Sequence, residues 1–207
     1  MNLPNKLTVL RLILVPVFMI FTIVDNVWMR FFALVIFIAA SLTDLFDGYL
    51  ARKYGEVTDF GKFLDPLADK FLITAAFVCF VGMRELHVPA WMVVLIIGRE
   101  FMITGLRTLA ASKGIVIAAD RAGKFKTTSQ ITAVIIILII LCTNSLLEHN
   151  YNLTPALLTE MPGSSSVLGS ALSWSSYWIV FITTILTLVS GLSYLYKHRQ
   201  LLRQDPA

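Results

Sequence analysis

Four aspartates, Asp44, Asp47, Asp65 and Asp69, stand inside otherwise apolar sequence, in the run SLTDLFDGYLARKYGEVTDFGKFLDPLADK. An Asp within a membrane helix costs roughly 2.5–3.5 kcal/mol on the insertion scale, so four together require compensation. Divalent cations supply it, because hard ions such as magnesium are held by carboxylates and by substrate phosphates. Asp44 and Asp47 are spaced i, i+3 and Asp65 and Asp69 i, i+4, which puts each pair on one face of a helix.

The polar stretch from Arg52 to Asp59 suits a short turn between two antiparallel helices whose acidic pairs then face each other. Two metal ions about 3.5–4 Å apart in such a hairpin could clamp a pyrophosphate, stabilising both the attacking and the leaving oxygen. Gly48 and Gly61 remove side chains at the same depth and leave room for a ligand against the backbone. Arg52 adds a planar cation able to fork onto phosphate oxygens. The plainer alternative, caps and solvated acids at helix ends, fits Asp59 but not the four spaced aspartates.

With 57% hydrophobic and only 14% charged residues over 207 positions, and a mean hydropathy of +0.77, the chain is too apolar for a soluble domain. Six spans are predicted, at about 7–25, 31–53, 61–83, 89–110, 126–147 and 174–196, each near the ~20 residues that cross a bilayer. A helix satisfies its own backbone, so the expected fold is an all-α integral membrane protein, a six-helix bundle forming one domain over residues 1–207. With a cytoplasmic N-terminus, six spans return the C-terminus to the same side. Of the 17 Lys and Arg, only Arg30 and Arg84 then fall in outer connections, and this asymmetry favours both termini inside. The acidic hairpin is then expected at the cytoplasmic face of the cell membrane. The net charge of +4 reads as an inner basic collar, not a nucleic-acid surface.

Lesser features take blander readings. The first hydrophobic run lacks a small-x-small cleavage site and is expected to be retained. Cys79 and Cys142 read as small hydrophobes, and His87, His149 and His198 as solvated groups without ligand spacing. Trp28, Trp91, Trp174 and Trp178 fall near predicted span ends, as an interfacial aromatic belt does. Residues 148–173 are Ser-rich and carry no motif. Thr8 and Arg11 share a helix face, and Arg11 reads either as an interfacial snorkel or as a phosphate contact beside the acidic hairpin.

From Asp44 to Asp69 the chain carries D-x2-D-G-x2-A-R-x8-G-x3-D-x3-D, and in every fixed position this resembles the signature of the CDP-alcohol phosphotransferase family. Three further segments extend the likeness over nearly the whole chain. They are Asn2 to Arg11, Arg99-Glu100 with Thr104-Gly105-Leu106-Arg107, and Gly123-Lys124-Phe125-Lys126-Thr127-Thr128. The resemblance implies a membrane enzyme that moves a phosphatidyl group from CDP-diacylglycerol to an alcohol and releases CMP. Its longer segments point to sn-glycerol 3-phosphate as the acceptor. It further implies Asp44, Asp47, Asp65 and Asp69 as ligands of magnesium or manganese, with Asp69 also the general base. Thr8, Gly48, Ala51, Arg52 and Gly61 would lie against the CDP-linked donor.

Arg99 and Arg107, at i, i+8, and Lys124 and Lys126 form a second, basic cluster near the same predicted face. The resemblance assigns them to the acceptor phosphate, while Glu100 is expected to point elsewhere on the helix. It also implies a homodimer among membrane lipids, for which Gly98, Gly105 and Gly191 permit close helix contact. Two alternatives stay open: another acceptor such as inositol phosphate, and a divalent-cation transporter whose path the carboxylates would line.

Overall fold

The computed structural model describes the backbone of residues 3–54, 59–112, 114, 121–161 and 163–197, and their side chains except at 3–7, 44–54, 59–69, 121, 122 and 124. Its regular elements are all helical. They are α1 (Leu3–Ile23), α2 (Val27–Tyr54), α3 (Asp59–Gly82), a 3₁₀ turn (Arg84–Leu86), α4 (Ala90–Ser112), α5 (Arg121–Tyr151), α6 (Pro155–Glu160) and α7 (Ser164–Lys197). Each of the six predicted spans falls on one of the six long helices. Two of these, α5 over Phe125–Tyr151 and α7, are long and apolar enough to cross a membrane.

Two differences from expectation stand out. Helix α2 runs on through Tyr54, so Arg52 sits on the helix that carries Asp44, Asp47 and Gly48 and not in a turn. The Ser-rich connection is also more ordered than its composition suggests. Thr154 caps α6, its hydroxyl accepting from the Leu157 N–H at 3.3 Å, and Pro155 opens the first turn. Helix α7 begins ten residues before the predicted span because α6 packs directly upon it at Gly169. A Cβ there would lie 2.5 Å from the Thr159 backbone nitrogen, so only a glycine admits the approach.

The core is the meeting of α1, α2, α3, α4, α5 and α7 around Phe18, Phe37, Phe77, Met92, Ile137 and Val180, all fully buried. The outside is nearly as apolar. Ile13, Phe32, Val78, Val94, Ile139 and Val189, one from each long helix, are exposed. In water such faces would be an aggregation liability, whereas lipid tails accept them without cost.

A buried arginine defines one end of the bundle. Arg30, 3% exposed at the start of α2, donates through Nη2 to Glu85 Oε1 at 2.5 Å and through Nη1 to Ser145 Oγ at 2.7 Å. Asp25 lies 3.1 Å from Nη2. The beginning of α2, the end of α3 and the later part of α5 therefore share one end, with α2 and α3 antiparallel. All four tryptophans cluster there: Trp28 beside Arg30, Trp91 just after the 3₁₀ turn, and Trp174 stacked on His87 with Trp178 one turn further on. His87 is exposed as expected, yet its Nδ1 is also 3.2 Å from the Ser173 carbonyl oxygen, so it pins α7 to the turn.

Burial pushes the Glu85 carboxyl above its ordinary range, against the opposing pull of Arg30. The folded state thus holds that proton to higher pH than the unfolded chain, and ionising Glu85 as the pH rises through this interval costs stability. Glu85 gives Arg30 an acceptor as well as a counter-charge, and Asp25 supplies a second carboxylate. Glu85→Gln keeps an oxygen for the guanidinium, whereas Glu85→Ala leaves buried donors unmet. Glu85→Ala is expected to cost about 1.5–3 kcal/mol more than Glu85→Gln in unfolding of the detergent-solubilised protein. Equal losses in the two variants would show that the carboxylate charge holds this end together.

Candidate active site

The other end of the bundle carries the candidate site. Helix α5 places Lys126 nineteen residues before Ser145, about 29 Å along the axis at 1.5 Å per residue. The same antiparallel logic brings the end of α2, with Asp44 and Asp47, and the beginning of α3, with Asp65 and Asp69, to this end. Both acidic pairs fall on helices, as their spacing required. The side chains of Asp44, Asp47, Gly48, Ala51, Arg52, Gly61, Asp65, Asp69 and Lys124 lie outside the described residues. Helix α1 runs antiparallel to α2, with Phe18 against Phe37 (ring centroids 5.6 Å apart) and Phe21 against Phe32 (6.4 Å). Continued toward its start, that register brings Thr8 and Arg11, both buried, level with the acid-bearing turns of α2.

Four carboxylates at one end of two neighbouring helices are a hard-oxygen donor set of the kind magnesium or manganese takes. Among the described residues no group of three His, Cys, Asp or Glu side chains could hold a metal ion, and the four aspartate side chains lie outside them.

The basic residues are built into a network joining four helices. Arg99 on α4 is 7% exposed and donates through Nη2 to Ser190 Oγ on α7 at 2.9 Å. Its stem lies against Gly191, where a Cβ would sit 2.9 Å from Arg99 Cγ. Arg107, two turns on and exposed, reaches the same helix: its Nε is 3.4 Å from the Tyr194 hydroxyl, and its guanidinium lies 5.5 Å from that ring's centre. Ser190 and Tyr194 are i, i+4, so the shared face expected for Arg99 and Arg107 is realised as a matched polar face of α7.

Glu100 corrects the sequence reading. It does not point away from Arg99: its Oε1 is 3.2 Å from Arg99 Nη1, and Lys126 Nζ from α5 pairs with the same oxygen. Lys126 is 4% exposed. One turn along α4, Thr104 donates to the Glu100 carbonyl oxygen at 2.8 Å and accepts from Lys70 on α3. Lys70 follows Asp69 directly, so the acid-bearing end of α3 lies beside the cation cluster. Ser190, Tyr194, Lys70 and Glu100 were all missed from sequence. The cost argument applied to the aspartates would have flagged Glu100, an acid in an apolar span that needed a partner.

Gly191, expected to admit a helix from a second chain, is filled by Arg99 of its own chain. At Gly98 and Gly105 nothing lies within 4 Å of an added Cβ, so these two positions on α4 stay open.

Likeness to known proteins extends over nearly the whole chain. The sequence pattern of the CDP-alcohol phosphatidyltransferase family matches residues 1–189. The CDP-diacylglycerol–glycerol-3-phosphate 3-phosphatidyltransferase of Bacillus subtilis is 40% identical over 98% of this chain and 97% of its own length. The protein of the same name from Cereibacter sphaeroides is 30% identical over 99% and 98%. That of Escherichia coli K12 is 41% identical over 64% of this chain and 74% of its own. An acidic motif carried on two adjoining helices, a basic network beside it, and likeness from end to end make this chain a member of the CDP-alcohol phosphatidyltransferase family.

Proposed function

We propose that the chain transfers the phosphatidyl group of CDP-diacylglycerol to sn-glycerol 3-phosphate, giving phosphatidylglycerol phosphate and CMP. The observation that carries this reading is the adjacency at one bundle end of acid-bearing helices and a buried cation network, linked through Lys70 and Thr104. A pyrophosphate donor needs the first and a phosphorylated acceptor the second. The names of the full-length relatives point the same way.

In this reading the six long helices cross the cell membrane with both termini inside, and the reacting end faces the cytoplasm. The tryptophan-rich end then meets the outer headgroups. Asp44, Asp47, Asp65 and Asp69 would hold two magnesium or manganese ions, which when bound supply charge neutralisation at the pyrophosphate and at the departing CMP. Thr8, Gly48, Ala51, Arg52 and Gly61 flank the donor, the small residues letting the nucleotide lie against the helices. Arg99, Arg107, Lys124 and Lys126 hold the acceptor phosphate and so orient the glycerol hydroxyl. Asp69 takes the proton from that hydroxyl as its oxygen attacks the phosphorus bearing the diacylglycerol; the phosphorus–oxygen bond to CMP breaks. Positioning and electrostatics supply most of the acceleration. The acids lie at one end of two helices, whereas a cation transport path would want carboxylates through the membrane depth. A homodimer would have the open α4 positions Gly98 and Gly105 available for contact.

Purified protein in detergent should release CMP from CDP-diacylglycerol in the presence of glycerol 3-phosphate and a divalent ion, and cease when the ion is chelated. Faster release with inositol phosphate or serine would reassign the acceptor. CMP release needing no acceptor would point to hydrolysis instead.

Replacing Asp44, Asp47 or Asp65 by Asn is expected to abolish turnover, with partial recovery at high magnesium or manganese in at least one variant. Asp69→Asn should lower kcat by about 10²–10⁴-fold, the range of a general base, while nucleotide binding persists. Normal turnover in any of the first three removes that residue from the ligand set. Normal turnover in Asp69→Asn places the base elsewhere in the hairpin.

A further inference from the structure

We propose that Glu100 is the positioning residue of the acceptor-phosphate site, its carboxylate gathering Arg99 and Lys126 so that their remaining donors face an incoming phosphate. The inference rests on the assignment of those cations to the acceptor phosphate.

Neighbouring residues on a helix point about 100° apart, so helix geometry alone does not bring Arg99 onto Glu100. Here Arg99 Nη1 and Lys126 Nζ, from α4 and α5, converge on a single carboxylate oxygen, while Arg99 Nη2 is tied to Ser190 on α7. Without that carboxylate, two nearly fully buried cations would stand close together with no counter-charge among the described residues. They would move apart or seek water, and the site would lose its shape. Thr104 braces the node by bonding the Glu100 carbonyl oxygen while itself accepting from Lys70.

A competing arrangement would make Glu100 a stand-in for the phosphate, displaced when the acceptor arrives. The donor inventory argues against it. An arginine carries five N–H donors and a lysine three. Among the described residues, Arg99 Nε is buried without a hydrogen-bond partner, and the Glu100 contact occupies only part of the Lys126 ammonium. Gly191 lies against the Arg99 stem and Nε, so the donors left for a ligand are the second N–H of Nη1 and of Nη2 and the rest of the Lys126 ammonium. The cations can therefore keep Glu100 and still offer donors to a tetrahedral oxyanion. Glu100 also removes one positive charge from the cluster, bringing it closer to what a single phosphate can neutralise.

Steady-state kinetics with both substrates varied would test this in wild type, Glu100→Gln, Glu100→Asp, Lys126→Gln and the Glu100→Gln/Lys126→Gln pair. Thermal unfolding, with and without glycerol 3-phosphate, would be read alongside. Glu100→Gln should raise KM for glycerol 3-phosphate about tenfold, the effect of a lost charge-assisted contact, and weaken thermal protection by that ligand. Its kcat and its KM for CDP-diacylglycerol should change little. Glu100→Asp should fall between wild type and Glu100→Gln, and the double variant should be no worse than Lys126→Gln alone.

A fall in KM for glycerol 3-phosphate would overturn the proposal and make Glu100 a competitor of the acceptor. Multiplying effects in the double variant would overturn it too, as would equal losses in both KM values with lowered stability. Should Glu100→Gln fail to fold, Glu100→Asp decides: a raised acceptor KM alone supports the role, and a wild-type KM refutes it. If Lys126→Gln leaves the acceptor KM unchanged, the assignment of these cations to the phosphate fails, whatever Glu100 does.

Discussion

An arginine cannot discard its proton, and burying one in an apolar bundle obliges the fold to bring acceptors to it. Arg11, Arg30 and Arg99 are all buried, on three different helices. Where the partners of Arg30 and Arg99 are visible, they come from helices far apart in sequence: Glu85 and Ser145 for Arg30, Ser190 for Arg99. Apolar packing between lipid-facing helices has little register preference, because a shifted interface is still apolar. A guanidinium with fixed donors does have one. These polar contacts set which turns of α2, α4, α5 and α7 lie side by side, and the apolar core closes around that arrangement.

The two ends differ in kind. At the tryptophan-rich end the charge is settled within the chain, because Glu85 and Asp25 both lie on Arg30. At the opposite end Arg99 and Lys126 share one carboxylate oxygen of Glu100, while Arg107 reaches Tyr194 and Lys70 reaches Thr104. These cations stand beside helices that carry four aspartates. In the proposed reading both sets of charge also meet groups from outside the chain: divalent ions on the acids, a pyrophosphate upon them, and a second phosphate reaching the cations. In that reading the chemistry gathers at one end, while the other helps to keep the helices in register.

Much of this was legible in the sequence because it is local. The long helices follow from apolar runs of membrane length, the acidic faces from i, i+3 and i, i+4 spacing, and the common face of Arg99 and Arg107 from i, i+8. What escaped depends on contacts between distant segments. Helix spacing says that Arg99 and Glu100 diverge, and nothing along α4 reveals that Lys126 arrives from α5 to draw both together. Gly191 reads as a permissive small residue until Arg99 is seen lying against it. The Ser-rich stretch has little helical signal of its own. It becomes the first turns of α7 because α6 folds back onto Gly169, an approach decided by the absence of one Cβ.

The balance of charge around Arg99 also bears on how an acceptor would be chosen. A phosphate monoester brings about −1.5 to −2 charges at neutral pH. In the proposed reading Arg99, Arg107, Lys124 and Lys126 bring four positive charges, and Glu100 lowers that excess to three, nearer that demand. Discrimination then works from both sides. In that reading a phosphorylated acceptor would neutralise cations of which Arg99 and Lys126 are already buried, while an uncharged alcohol would leave them unmatched and forfeit the positioning they provide. An acid placed among phosphate-binding cations looks at first like a loss of attraction. In the proposed reading it would lower the repulsion that assembling the site costs and bring the excess nearer one phosphate, so that selectivity would rest on matched charge and not on the largest positive field.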